Sequence, residues 1–571
     1  MAEPNNAGMT IGGPEPPKEM SMELRLLLAF LLMGAVLFVT PYFYKTIAPP
    51  SKKPVASQSQ GKAPAAPATA IPAATPASAI PATPPVSAQA EERVFIETDL
   101  YRITFSNRGA VVHNWLLKKF AAHSGKPLEL VNGASATSAP FSLYFSGQKP
   151  AVDLNQALYA IKKDPDGLGV TFEFSNGQTR ARKTFRFQAN SYLSQISTEV
   201  SDGGKALPAL IEWRGGFGDM AVPNPAGASQ TLYFNTAEGK LVKNSAKAAK
   251  NGPAQFTGQY SFAGVEDTYF VAAFLPDSPG PVESVTFSDS VRTPYEEKEI
   301  PMAGTAVGNG SVNRFSLFVG PKDIDILRSV NPKLEQIVDF GWFGLLAKPL
   351  FLIVNWVNDH VVRNYGWAII LVTIALNFAL FPLKISSMKS MKKMQALQPQ
   401  IKAINEKYKS ISIRDPRKAD QNQETMELYK KYGVNPMGGC VPMALQIPFF
   451  FAFYKVFTVS VEMRGAHWLW VTDLSQPETL PIKVLPLIMV ASQFIMQKMT
   501  PSTTPDPNQQ KMMMIMPLVF GFMFYNLSSG LVLYYLTSNL VGIAQQWFFN
   551  KTAVAAEVAL SVQPKKKGGK K

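Results

Sequence analysis

A single cysteine, Cys440, in 571 residues excludes an internal disulfide framework and any zinc cage built on paired cysteines. The four histidines, His113, His123, His360 and His467, are scattered and carry no metal-ligand spacing. The chain contains no P-loop, no H-E-x-x-H and no G-x-S-x-G, so no nucleotide, metal or cofactor is expected and no catalytic residue is assigned. Charged residues are scarce at 17% against 46% hydrophobic, which argues against disorder over most of the length.

What the chain has is hydrophobicity in blocks. Mean hydropathy over the whole is near zero, yet residues 92–330 read as a soluble chain and 340–549 as long apolar runs separated by short polar ones. That division excludes a simple soluble enzyme and points to a membrane protein carrying a soluble domain. The net charge of +15 is also localised: residues 384–435 hold twelve Lys/Arg against five Asp/Glu, and residues 551–571 six Lys against one Glu. A basic chain can bind nucleic acid, but these stretches flank apolar segments, where positive-inside topology accounts for them.

Behind an N-terminal tail (1–23), residues 24–44 are an apolar stretch with an aromatic end, Tyr42-Phe43-Tyr44. No A-x-A cleavage site follows promptly, so an uncleaved anchor is expected rather than a signal peptide. Residues 45–91, rich in Pro, Ala, Ser and Thr, form an extended linker that cannot build a core. Residues 92–330 alternate as strands do, for example Leu100–Ser106, Phe141–Phe145, Val170–Phe174, Lys183–Phe187, Tyr269–Leu275, Val282–Phe287 and Asn313–Val319. Asn176-Gly177 marks a hairpin between two of them. The expected product is a large all-β antiparallel sandwich.

Five membrane spans are expected at 366–383, 437–459, 483–499, 512–527 and 531–549, several near the lower length limit for crossing a bilayer. Pro382, Pro442, Pro448, Pro486 and Pro517 lie in or beside them, so freed carbonyls need other partners, and a short kinked bundle would thin the bilayer locally. Residues 340–363 are apolar but carry Lys348, Asn355, Asn358, Asp359 and His360. Were they a span, the basic 384–435 loop would face outward, so they read as an amphipathic helix in the outer interface. The β-domain then lies outside the cytoplasm, and the 550–571 tail inside it.

Residues 384–435 read as a helical hairpin whose apolar stripe, Met394, Leu397, Ile401, Ile404 and Tyr408, steps by three and four. The stripe suits packing of the hairpin on itself. It also suits an adaptable docking surface, with Lys389, Lys392, Lys393 and Met394 as candidate partner contacts. Inside the spans, Thr373 and Asn377 share one helical face, and Gln446, Gln493, Ser538, Asn539, Gln545 and Gln546 lie on others. Polar side chains there face the bundle interior or a wet cavity, as interhelical hydrogen bonds or as a hydrated groove.

The runs Asn435-Pro-Met-Gly-Gly-Cys440-Val-Pro-Met-Ala-Leu-Gln446-Ile-Pro448, Asp506-Pro-x-Gln-Gln-Lys511 and Ser529-Gly-Leu-Val-Leu-Tyr-Tyr535-x-x-Ser-Asn-Leu540 resemble the YidC/Oxa/Alb family of membrane protein insertases. Upstream, Phe262-Ala-Gly-Val265 with Tyr269-Phe270, and Leu317-Phe-Val-Gly-Pro321, resemble the large periplasmic domain of its Gram-negative form. The resemblance implies a polytopic inner-membrane protein with six transmembrane helices, a five-helix insertase core and a periplasmic β-supersandwich. It implies an insertase and chaperone for nascent membrane proteins, working alone or beside the Sec translocon through a hydrophilic groove, with neither nucleotide nor metal. By resemblance Thr373 and Tyr535 link the second and sixth spans, and Ile447, Pro448 and Phe520 line the substrate slide. The basic loop and tail suit contact with a ribosome or with anionic lipid of the bilayer.

One position departs from the family pattern. Family members usually place an arginine where this chain has Asn377. Asparagine donates and accepts hydrogen bonds but brings no net charge, so this residue does not itself supply an electrostatic attraction for acidic substrate tails, and hydration alone is the alternative by which such a groove can work; whether a nearby charge compensates is left to the tertiary structure. Two other classes compete with the insertase. A small-solute or lipid transporter should show internal repeats and charged midplane sites, which are not evident. A glycan-active envelope enzyme would lose its function on deletion of 92–320, which an insertase should largely survive.

Overall fold

A computed structural model of the chain describes residues 85–552, apart from 123–124, 134–137, 223, 294–297, 410, 412–414, 416, 436–440 and 501–506. The expected tail 1–23, anchor 24–44, most of the linker 45–91 and nearly all of the basic tail 550–571 lie outside the described residues.

The alternating segments build three antiparallel sheets of ten, five and four strands. The large sheet runs, in spatial order, Lys240–Ser245, Gln230–Asn235, Tyr260–Glu266, Phe270–Pro276, Val312–Pro321, Leu193–Asp202, Thr179–Arg186, Gly169–Ser175 and Ala160–Lys163, with Lys205–Ala206 paired onto Leu193–Asp202. Along Thr179–Arg186 the residues Thr179, Ala181, Lys183 and Phe185 turn inward while the arginines between them turn out, the period of two that a half-covered strand requires. Phe270–Pro276, by contrast, is buried on both faces through Leu275, as a central strand covered on both sides must be. The expected hairpin forms at Asn176-Gly177: Asn176 Oδ1 accepts the N–H groups of Gln178 and Thr179, and Gly177 takes φ +92°.

Aromatic residues join the sheets. Phe105 of the four-stranded sheet lies 4.8 Å from Phe185 of the large one, and Trp115 lies 5.8 Å from Trp213 of the five-stranded one. At their meeting point Lys183 is fully buried. Gly109, Ala110 and Phe141 adopt left-handed φ of 70°, 50° and 71°, and Lys183 Nζ donates to the carbonyls of Gly109 and Phe141, each at 2.6 Å. The ammonium thus satisfies carbonyls that the tight turns push inward. Burial pushes its pKa down to about 7.

The helical part starts at α1 (Ile324–Val330), capped by Asp323, whose carboxylate accepts the N–H groups of Asp325 and Ile326. It continues through α2 (Gly344–Val357), α3 (Tyr365–Ala379), α4 (Phe381–Lys407), α5 (Arg417–Lys431), α6 (Val441–Val459), α7 (Val484–Met499), α8 (Pro507–Phe524) and α9 (Ser529–Lys551). Among the described residues no single helix is long and apolar enough to cross a membrane, although Gly341–Val362 and Tyr365–Ala379 would pass together as a pair bent by 115°. The fifteen residues of α3 extend about 22 Å, against a hydrocarbon core of about 30 Å. Helix length therefore does not establish the expected count of six spans.

The soluble and helical parts are tied by a buried ion pair. Arg464, in the connection between α6 and α7, donates to Asp219 Oδ2 from Nε at 3.0 Å and from Nη2 at 2.5 Å. Both side chains are 8% exposed. Asp219 is held from behind, its own N–H donating to Asp267 Oδ2 at 2.5 Å.

Candidate functional site

Where α3, α6 and α9 pack together, the apolar pattern is broken by polar residues that find one another. Thr373 and Asn377 sit one turn apart on α3, both buried. Thr373 Oγ1 donates to the Ile369 carbonyl at 2.6 Å, and Asn377 Nδ2 to the Thr373 carbonyl at 2.8 Å, so each polar group inside the apolar helix is first satisfied by its own backbone. Asn377 then reaches α9: its Oδ1 accepts from Ser538 Oγ at 3.3 Å, and its carbonyl accepts from Gln545 Nε2 at 3.1 Å. Gln446 of α6 joins the same chain, donating from Nε2 to Tyr534 Oη at 2.6 Å and to Ser538 Oγ at 3.4 Å. On the next face, Asn539 Nδ2 donates to Ser492 Oγ of α7 at 3.1 Å.

The chain of bonds is not fully closed. Gln545 Oε1 and, on α7, Gln493 Oε1 and Gln497 Oε1 are buried without a hydrogen-bond partner among the described residues. A buried acceptor left unpaired costs about 1–3 kcal/mol, so these oxygens mark places where a further donor would be welcome.

Lys384, which sequence reasoning passed over, completes the cluster. Its Nζ donates to Asn377 Oδ1 at 2.6 Å. The helical path breaks at Leu380 between α3 and α4. Side chains on a helix lean toward its N-terminus, so a lysine on the first turn of α4 points back along α3. The signal was the spacing of seven residues, two turns on one face. Asn377 brings no charge of its own but holds a cation.

The other expected residues divide by face. Tyr535 is half-buried, stacks with Phe520 of α8, ring centroids 6.2 Å apart, and packs in a tilted arrangement against Phe524 at 4.9 Å. Among the described residues it makes no hydrogen bond to Thr373, whose Oγ1 donates to the Ile369 carbonyl. The reason is helical geometry: successive residues differ by about 100°, so Tyr534 faces Gln446 while Tyr535 faces α8. Tyr534 also stacks on Phe453 at 4.1 Å. Ile447 and Pro448 are half-buried on α6, and Phe520 is buried on α8. On α4, Lys389 is exposed and Lys392 and Lys393 are half-buried, whereas Met394 is 4% exposed and packs with Leu397, Ile401 and Val434 in the hairpin's own small core. Met394 therefore serves the hairpin rather than offering a free surface.

The family model described as "60Kd inner membrane protein" matches residues 356–556, and that of the YidC periplasmic domain matches residues 93–353. A membrane protein insertase YidC of Pelobacter propionicus is 35% identical over 567 residues, covering 93% of this chain and 99% of that protein. One from Geobacter sp. strain M21 is 36% identical over 474 residues, covering 80% and 85%. The chain belongs to the YidC family of membrane protein insertases. A solved structure of an active YidC insertase with its first transmembrane domain resolved covers 92% of this chain and 99% of that one, at 19% identity and a TM-score of 0.36. The assignment rests on the sequence matches and not on that superposition. As a YidC-family member the chain is an inner-membrane protein whose β-sheet domain is periplasmic, and the polar cluster lies in the part that the inner-membrane family model covers.

Proposed function

We propose that the chain inserts and helps fold nascent inner-membrane proteins by receiving the hydrophilic end of a substrate segment at the polar cluster of α3, α6 and α9. The single observation that carries this reading is a hydrogen-bonded series from three helices, Gln446–Ser538–Asn377–Gln545, set in otherwise apolar surroundings. Moving a polar tail through hydrocarbon is expensive. A path that offers donors and acceptors lowers that cost, and the apolar part of the segment then leaves into lipid, driven by its own burial. No covalent step is needed. Phe520, Tyr535, Ile447 and Pro448 supply the apolar side of the path.

The reading includes six spans, namely the 24–44 anchor and the five at 366–383, 437–459, 483–499, 512–527 and 531–549, in a locally thinned bilayer. The shortness of α3 and α7 supports thinning. It places 340–363 flat in the outer interface, which is supported by the sharp bend before α3 and by exposed Trp342, Leu345 and Trp356. The basic 384–435 hairpin and 550–571 tail would meet the ribosome or anionic lipid, and the Sec translocon would be a partner for larger substrates.

Reconstitution in liposomes tests the reading. Purified protein should give protease-protected insertion of a small single-span substrate above protein-free vesicles. No insertion by correctly folded protein, whatever the substrate tail, refutes it.

A further inference from the structure

We infer that Lys384 is the residue that selects for acidic groups in the segment being inserted, as their direct electrostatic contact at the polar cluster; this rests on the function proposed above. Its Nζ lies 2.6 Å from Asn377 Oδ1, a neutral acceptor, which leaves donor capacity on an ammonium that has three N–H groups. Among the described residues no carboxylate lies within ion-pair distance of it. The sequence explains why: α3, α4 as far as Asn405, α6, α7, α8 and α9 contain no Asp or Glu at all. A half-buried cation in a core without acids lacks a counter-charge from its own fold. Such a charge is costly to hold unless an anion arrives to pair with it.

The position favours a substrate side chain as that anion. Lys384 is bonded to Asn377, which is 3% exposed and faces α9 between the helices. A lipid headgroup approaches from the outer surface of the bundle, whereas a tail held at Gln446, Ser538 and Gln545 comes directly to the ammonium. Asn377 is the positioning residue: its Oδ1 fixes the ammonium at the cluster, and Ser538 Oγ, donating to the same oxygen, fixes the amide.

The test compares insertion of one single-span substrate with a neutral translocated tail or a tail bearing aspartates, by the full-length protein in phosphatidylcholine vesicles with and without phosphatidylglycerol. Lys384→Met should lower the acidic-to-neutral insertion ratio about tenfold, equivalent to about 1.4 kcal/mol, and Lys384→Arg should keep it near wild type. Asn377→Asp, which supplies an internal carboxylate to the same ammonium, should lower the ratio likewise while the protein folds. Equal loss on both tails in Lys384→Met, or an unchanged ratio, overturns the assignment. So does a ratio change that appears only with phosphatidylglycerol, which would make lipid the partner. Failure of the wild type on both tails would instead refute the function proposed above, so the two failures are distinguishable.

Discussion

Replacing Asp219 by Asn should loosen the periplasmic domain from the helical core, and the structure sets the size of the effect. Arg464 makes both of its bonds to Asp219 Oδ2, and both side chains are 8% exposed. Truncating one partner strands the other charge in a desolvated position, a cost of about 3–5 kcal/mol. Removing both charges, as in Asp219→Leu with Arg464→Met, trades the pair for apolar packing and should cost far less than the sum of the single changes. Asp219→Leu also takes away the acceptor of the Ala221 N–H, at 3.0 Å, so the double variant should remain somewhat below wild type. The assay is a double-mutant cycle on purified full-length protein in detergent, with urea unfolding followed by the fluorescence of Trp115 and Trp213, which lie in the β-domain core. A coupling of about 2 kcal/mol or more is expected. Strict additivity, or single changes costing under about 1 kcal/mol as exposed pairs do, would refute the claim that the pair fastens the two parts together.

Three further outcomes follow from particular contacts. Gln446→Leu removes the donor to Tyr534 Oη and Ser538 Oγ and should slow insertion of every substrate tail alike, with a stability loss of about 1–2 kcal/mol measurable by thermal unfolding. Gly366→Ala should destabilise by about 1–3 kcal/mol and shift the emission of Trp468, because a Cβ there would lie 2.1 Å from Trp468 Cδ1; wild-type stability would disprove so close an approach. Glu462, between α6 and α7, is pushed up to about 8, first by burial and then by the charges of Asp323, Asp325 and Asp359, and its Oε2 has no hydrogen-bond partner among the described residues. A carboxyl whose pKa is raised on folding stabilises fully below its unfolded value, near 4.5, and loses that contribution as pH climbs through 8. Glu462→Gln should therefore unfold at a higher temperature than wild type at pH 9 and at the same temperature at pH 4; a gain that is equal at both pH values would contradict this.

The parts legible in the sequence are those governed by short-range periodicity. Alternation at Thr179–Arg186 and the Asn-Gly turn before it belong to one strand pair, so neighbours in the chain decide them. The stripe at Met394, Leu397 and Ile401 likewise encodes its own face, and the hairpin it packs is local. Thr373 and Asn377 share a face because one helical turn puts them there.

Tertiary structure decided which side chains meet. Tyr534 rather than Tyr535 turns toward Gln446, a choice set by the rotation of α9 against α6 and α8 and not by either residue's chemistry. Lys183 reads as one more basic residue on a strand, yet its ammonium is claimed by carbonyls from turns 42 and 74 residues away. Asp219 and Arg464 are 245 residues apart, and each alone resembles an ordinary surface charge. Lys384 looks like the first member of a basic cytoplasmic loop until the break after α3 aims it at Asn377. Periodicity fixes which face a side chain occupies, because backbone geometry is local. The partner across that face is fixed by packing, where burial makes an unpaired charge or carbonyl too costly to leave alone.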